Sequence, residues 1–290
     1  MNGGGPVKIS ALRARVDDEE LRIRGILDEP WKPTDFRGHP HPGQKYKHGW
    51  IPIGGSAGDM RQALSDAKDI DELNAALAGE AKRITGRDIH ADLSGLDVDV
   101  AREYGEGIAR GLERFPDATL TGVYTYGPGS RQSKAGSEMQ RLHPDASAVT
   151  QAYGVMEGGR FIVSSNIYFN AGPAADSAAF RAGREQAHAD GFLVTGTPMG
   201  TALHEFGHVV TNQTGSKRTV YDSAVTDAEH AGIAPSAYIS RHVSKYASSD
   251  MGEFAAEAFT DVMSNGSAAS ATSESAFQIL EAAYKAGKRA

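Results

Sequence analysis

A chain of 290 residues has room for one large or two modest domains around a sizeable core, and its 40% hydrophobic and 23% charged residues are ordinary for a globular protein. It has no cysteine, which excludes disulfides and thiolate metal sites and leaves histidine and carboxylate to hold any metal; the compartment stays open. A formal net charge of −7 without long runs of either sign argues against nucleic acid as a partner, no stretch approaches the roughly 18 apolar residues of a membrane span, and the opening MNGGGPVKIS lacks the apolar region of a secretory signal.

Residues 1–58 carry little core pattern and are expected to form an irregular docking or structural segment. Leu12 to Leu27 mixes apolar and charged residues and suits a strand pair or a short helix. Pro30 to Gly55, rich in Pro, Gly, His and aromatics, reads as extended with turns. His39, His41 and His48 invite a metal reading. However, His39 and His41 each precede a proline that holds their backbone extended, so chelation by all three is hard to arrange. The phrase HPGQKYKHGW resembles segments of head or virion proteins of tailed bacteriophages, and the resemblance implies association with a phage particle.

Residues 59–85 are expected to be a helical linker. Met60, Leu64, Ala67, Ile70, Leu73 and Leu77 fall mostly at helical spacing, with a break near Lys68 to Asp71 that makes two short helices. Asp88, Asp92 and Asp97 with Gly86 and Gly95 read as a loop-rich join; the calcium-loop pattern is absent, so turn chemistry explains them better. A compact domain, 86–290, follows. Its expected elements are a helix from Val98 ending before Pro116, a β-rich run from Ala118 to Gly127, and a polar loop from Pro128 to Asp145. Two strands, ASAVTQAYGV and RFIVSSNIYFN, turn near Glu157 to Gly159, and a helix spans Asp176 to Asp190.

The segment TPMGTALHEFGHVVTNQTG comes next. Thr197 suits an N-cap, Pro198 the first helical position and Gly215 the residue just past the end, so the run between is expected to be helical. His204 and His208 are four apart and share one face, where both can hold one Zn²⁺ at about 2.0–2.1 Å. Glu205 is turned about 100° from His204. It sits beside the metal without binding it and can take a proton from a water that the metal acidifies. Leu203, Phe206 and Val210 can pack the helix into a core.

A catalytic zinc needs a third protein ligand. In KYASSDMGEFAAEAFTDVM, Asp250 looks like an N-cap and Met251 to Met263 reads as an amphipathic helix with Phe254, Ala258 and Val262 inward. Glu253 and Glu257 share another face, but Glu253 also suits a capping box and Glu257 a solvated charge. Spacing alone does not choose among Glu253, Glu257, Asp261, His230 and His242. His230, Tyr238, Arg241 and His242 read individually as surface or packing residues. Gly266 to Ala276 is expected to be a small-residue linker before a last helix, Ser275 to Lys288.

HEFGH followed by Y-A-x5-E-F-x-A-E-A-F resembles the gluzincin metallopeptidases related to the anthrax lethal factor catalytic domain. The matching positions are Tyr246, Ala247, Glu253, Phe254, Ala256, Glu257, Ala258 and Phe259, and the interval from His208 to Glu253 is also similar. The resemblance covers about the last third of the chain by motif and does not extend to lethal factor's substrate-binding domains. It implies that Glu253 is the third zinc ligand, that Glu257 hydrogen-bonds a ligand histidine, and that Tyr246 assists at the oxyanion or leaving group. The resulting expectation is an α+β fold: a zincin-like catalytic domain with a small, mainly antiparallel sheet packed on helices. In that family the last strand before the metal helix lies at the cleft edge, which falls on SNIYFN, although an ordinary core strand fits equally well. The expected activity is a zinc-dependent endopeptidase acting on protein or peptide, with Glu205 as base. Two other readings are a virion component that retains the fold and an injected toxin.

Overall fold

The computed structural model describes residues 57–287 apart from 132, 158 and 159. The expectations for residues 1–56, including the three histidines and the phage-like phrase, lie outside the described residues. Within them are eleven α-helices and a four-stranded sheet, a mixed α+β arrangement.

Helices α1 (Ala57–Asp66) and α2 (Ile70–Thr85) break where expected. Asp69 caps α2 by accepting the Glu72 amide at 2.9 Å, and Gly86 closes it. Leu64, Leu73, Leu77 and Ala81 are buried in the same core as the later helices, so this region belongs to the folded body. The join holds a short strand, β1 (His90–Asp92), where a loop was expected, and then α3 (Val98–Arg114) and β2 (Leu120–Tyr126).

The polar stretch Pro128 to Asp145 is not all loop. It contains α4 (Lys134–Leu142), capped by Ser133, whose hydroxyl accepts the Gly136 amide at 2.9 Å. This helix needs little apolar surface: Met139 is buried with Tyr126 and Tyr168, and Ala135 packs against the same cluster. Then come β3 (Ala148–Glu157), β4 (Arg160–Asn170), the single turn α5 (Ala171–Ala174) and α6 (Ser177–Ala189).

Strand order is β1-β2-β4-β3. β1 and β2 run parallel, as do β2 and β4; only β3 and β4 are antiparallel, paired from Ala148 opposite Phe169 to Tyr153 opposite Ser164 and beyond. The sheet is therefore mixed, and the expectation of a mainly antiparallel one is corrected. The reason is connectivity: α3 separates β1 from β2, α4 and β3 separate β2 from β4, and such long connections allow parallel neighbours. SNIYFN is also not an edge. It lies in β4, between β2 and β3, and the hairpin makes β3 the edge strand.

One face of the sheet supplies Val123, Ile167 and Phe169 to the core, with the Tyr104 ring of α3 stacked 3.9 Å from Phe169. Above this face lies α7 (Pro198–Thr214), packed between α3 and α10 (Met251–Asn265). Two glycines permit the close crossings. A Cβ on Gly111 would enter the Phe206 ring at 2.5 Å, and one on Gly207 would meet Ala256 Cα at 3.0 Å. Helices α8 (Lys217–Ala231), α9 (Pro235–His242) and α11 (Ala271–Gly287) complete the body. α11 begins four residues before the expected Ser275, because Ala276, Phe277 and Leu280 pack into the core and Ser273 is buried. Phe259 joins Phe206, Phe115 and Phe277 there, and truncating it to alanine would cost about 3–5 kcal/mol. No described helix is long and apolar enough to cross a membrane.

Candidate metal centre

The helix that carries HEFGH forms for the expected local reasons. Thr197 accepts the Gly200 amide at 3.1 Å, Pro198 occupies the first turn, and Gly215 at φ 63° returns its amide to Thr211 O at 3.0 Å. His204 and His208 lie on one face, with ring centroids 4.8 Å apart and Nε2 atoms 3.2 Å apart. From the first turn of α10, Glu253 brings Oε2 to 3.0 Å from His204 Nε2 and 3.5 Å from His208 Nε2. Around a tetrahedral ion, bonds of about 2.0–2.2 Å place neighbouring ligand atoms roughly 3.3–3.5 Å apart. The observed separations of 3.0, 3.2 and 3.5 Å lie at or slightly below that spacing.

The three atoms crowd together: at most one proton can lie between the two Nε2 atoms, and Glu253 Oε2 approaches both rings. Three lone-pair-bearing atoms thus face a common point, and they fit a metal ion. The electrostatics agree. Burial alone would lower the His204 pKa, but Glu253 and Glu257 outweigh it and raise it to about 10. For Glu253 burial pushes upward, and the two histidines prevail, holding its carboxyl well below the usual carboxylate range. The site draws in a cation, and without a metal the proton takes that place.

His204 Nδ1–H donates to Glu257 Oε1 at 2.9 Å, which leaves the Nε2 lone pair turned toward Glu253 and His208. Glu257 is 2% exposed, and its other oxygen accepts from the Val194 amide at 3.0 Å and the Ser244 hydroxyl at 2.8 Å. Ser244 Oγ in turn accepts the Ala247 amide at 3.0 Å. One carboxylate thereby ties α10 to the segment entering α7 and to the turn before α10.

No protein-family model, curated protein or solved structure matches the chain. The site is therefore read from its own geometry.

Glu205 is buried and stands outside the ligand group. Thr150, on edge strand β3, donates its hydroxyl to Glu205 Oε2 at 2.7 Å and lies 2.9 Å from Glu205 O. Tyr246 stacks on the His204 ring at 5.5 Å and 27°, with Phe192 stacked against it at 5.4 Å. Its pKa is raised, by burial first and then by the charges of Glu253 and Glu205, so the phenol keeps its proton at neutral pH.

The remaining candidates do other things. Asp250 caps α10 by accepting the amides of Gly252 and Glu253, and the Glu253 carboxylate is turned to the histidines rather than back to the cap. Asp261 accepts from Asn265 and the Ser270 amide. His242 stacks on Tyr238, and neither His230 nor His242 joins the ligand group. Sequence reasoning missed Thr150, Ser244 and the Val194 amide. Thr150 had one available signal, its place on a strand of the hairpin; Ser244 and Val194 had none, because their roles exist only once distant segments meet.

Proposed function

We propose that the chain is a zinc-dependent metalloendopeptidase of the gluzincin type, with His204, His208 and Glu253 as ligands. The observation that carries this reading is the convergence of two imidazole nitrogens and one carboxylate oxygen, 3.0, 3.2 and 3.5 Å from one another, with a further carboxylate, Glu205, left beside them. A His₂-carboxylate set with no thiolate suits zinc. When bound, the metal would polarise the scissile carbonyl and acidify the attacking water.

Glu205 takes the proton of that water and returns it to the leaving amine. Thr150 holds the Glu205 carboxylate in place through its 2.7 Å hydrogen bond. Glu257 fixes the tautomer of His204. The Tyr246 hydroxyl, protonated at neutral pH, donates to the oxygen on which charge develops. Among the described residues no strand pairs with the outer side of β3, and that edge, with Thr150 on it, offers main-chain hydrogen bonds to an extended peptide; this supports an endopeptidase acting on protein or peptide.

Incubating the purified protein with a mixed peptide library tests the reading. Cleavage should occur, stop with a chelator, return with added zinc, and be lost by orders of magnitude in Glu205→Gln. Cleavage that survives the chelator, or that Glu205→Gln leaves intact, would refute it.

A further inference from the structure

Helix α6 ends in a turn at Gly191, whose φ of 67° reverses the chain, and the Phe192 amide returns to Ala187 O at 2.8 Å. The segment that follows is tied down on two sides. His188 Nδ1–H donates to Leu193 O at 3.0 Å, and the amides of Lys245 and Tyr246 donate to Gly191 O and Phe192 O, each at 3.0 Å. Lys245 Nζ closes the same corner by donating to Asp190 O at 2.7 Å. Residues 191–194 and 244–247 therefore run side by side, and two of their contacts converge on His204. Val194 and Ser244 hold the Glu257 carboxylate that accepts from Nδ1, and Tyr246 stacks on the ring.

Phe192 is 46% exposed. A single exposed phenylalanine is ordinary on a protein surface; this one is set apart by what it stacks on. Its ring lies 5.4 Å from that of Tyr246 at 27°, and Tyr246 in turn lies 5.5 Å from His204 at the same angle. Both separations fall within the roughly 4.5–7 Å of favourable aromatic pairs. Two near-parallel neighbours thus fix the plane of the Tyr246 ring, one a ligand histidine and the other Phe192. Tyr246 is only half-buried, so the solvent side of the centre would leave its ring free to swing if Phe192 were absent. The backbone bonds between the two segments hold Phe192 in register with Tyr246 and make the stack a built feature of the corner.

We infer that Phe192 is a positioning residue for peptide hydrolysis: by stacking on Tyr246 it keeps the phenol hydroxyl aimed at the oxygen on which charge develops. The inference rests on the metallopeptidase reading and adds to it a residue outside the ligand group and its hydrogen-bond partners. Tyr246 donates in the transition state rather than to the bound substrate, so a loosened ring lowers kcat and leaves KM alone. The loss is smaller than that of removing the hydroxyl outright, because a mobile phenol still visits the donating position.

The test uses the full-length, zinc-loaded chain and the library peptide that the parent cleaves fastest. Phe192→Ala should lower kcat about three- to tenfold, the worth of one aromatic pair, with KM nearly unchanged. Phe192→Trp should restore most of the loss. In a Tyr246→Phe background, adding Phe192→Ala should cause no further fall in kcat, because the hydroxyl it positions is already gone. A readout without turnover runs beside these: carbon relaxation of the Tyr246 ring, assigned by its loss in Tyr246→Phe, should report a more mobile ring in Phe192→Ala at full metal content. An equal fall in kcat in both backgrounds overturns the inference, since Phe192 would then act on the structure at large. An effect confined to KM also overturns it, by making Phe192 a wall for the substrate, and so does an unchanged ring mobility. If the parent cleaves no peptide while the ring responds to Phe192→Ala, the stack stands, the metallopeptidase reading has failed, and the catalytic role of Phe192 falls with it.

Discussion

Glu257→Gln keeps the shape of a buried side chain and changes only what its end can accept. Both carboxylate oxygens are in use, Oε1 by His204 Nδ1–H and Oε2 by the Val194 amide and the Ser244 hydroxyl. Glutamine brings one acceptor oxygen and one NH₂. If the oxygen stays with His204, the NH₂ faces the Val194 N–H, and two donors meet in a buried site. If the oxygen takes Val194, the NH₂ faces His204 Nδ1, and the ring must move its proton to Nε2, the atom needed for the metal. Either arrangement costs about 1–3 kcal/mol, and outer partners of metal-binding histidines typically contribute about 10–100-fold in affinity. The expected result is metal binding weaker by about 10–100-fold with unchanged helix content, read by competition against a chromophoric chelator. An affinity within about twofold of the parent would refute the role given to Glu257, since each tenfold step corresponds to about 1.4 kcal/mol.

Thr150→Val keeps the strand and removes the donor to Glu205; hydrogen bonds to charged groups are worth about 1.5–3 kcal/mol, so kcat should fall about tenfold or more with full metal content, and an unchanged kcat would remove Thr150 from the mechanism. Tyr246→Phe keeps the ring stacked on His204, so metal content and melting temperature should hold while kcat drops about 10²–10³-fold; turnover like the parent's would mean the hydroxyl is not the donor. In the metal-free protein the raised His204 pKa contributes stability that is full below its ordinary value of 6.5 and is lost as pH rises toward about 10. The depressed Glu253 pKa contributes stability that is present above its ordinary 4.5 and is lost as pH falls below it. Melting temperature against pH without metal should therefore be highest between 4.5 and 6.5 as far as this pair governs it. Metal binding requires a neutral His204, so the rise in melting temperature on adding zinc should grow as pH rises from 6.5 toward about 10; a rise that shrinks over that range would contradict the ligand assignment.

Much of the centre was legible before any coordinates, because it rests on local rules. Thr197, Pro198 and Gly215 delimit α7 by capping chemistry, and helical geometry alone puts His204 over His208 and swings Glu205 aside. The choice of Glu253 over Glu257 was not local. Both lie on the same face of α10, and only the depth at which α10 crosses α7 at Gly207 decides which carboxylate reaches both rings and which reaches Nδ1. The motif resemblance named Glu253 and Glu257 where spacing could not; Glu253 is the one that groups with the two histidines, and Glu257 accepts from His204.

Three of the four strands are legible in the sequence, while β1 and the topology are not. Alternation locates β2, β3 and β4, but nothing in a strand's own residues says whether its neighbour runs parallel, and here two of three pairings do. The same gap hid the edge. β3 is the outer strand because the hairpin folds away from β2, and so Thr150, not a residue of SNIYFN, meets Glu205. Helix α4 escaped notice because its sequence is largely polar and buries only Gly136 and Met139.

The most direct test of the whole account is the metal content of protein purified without added metal. One zinc per chain is expected, with loss of that metal in His204→Ala and in Glu253→Ala and its retention in Glu205→Gln. A parent chain with no tightly bound zinc, or a zinc content that His204→Ala leaves unchanged, would contradict the central claim.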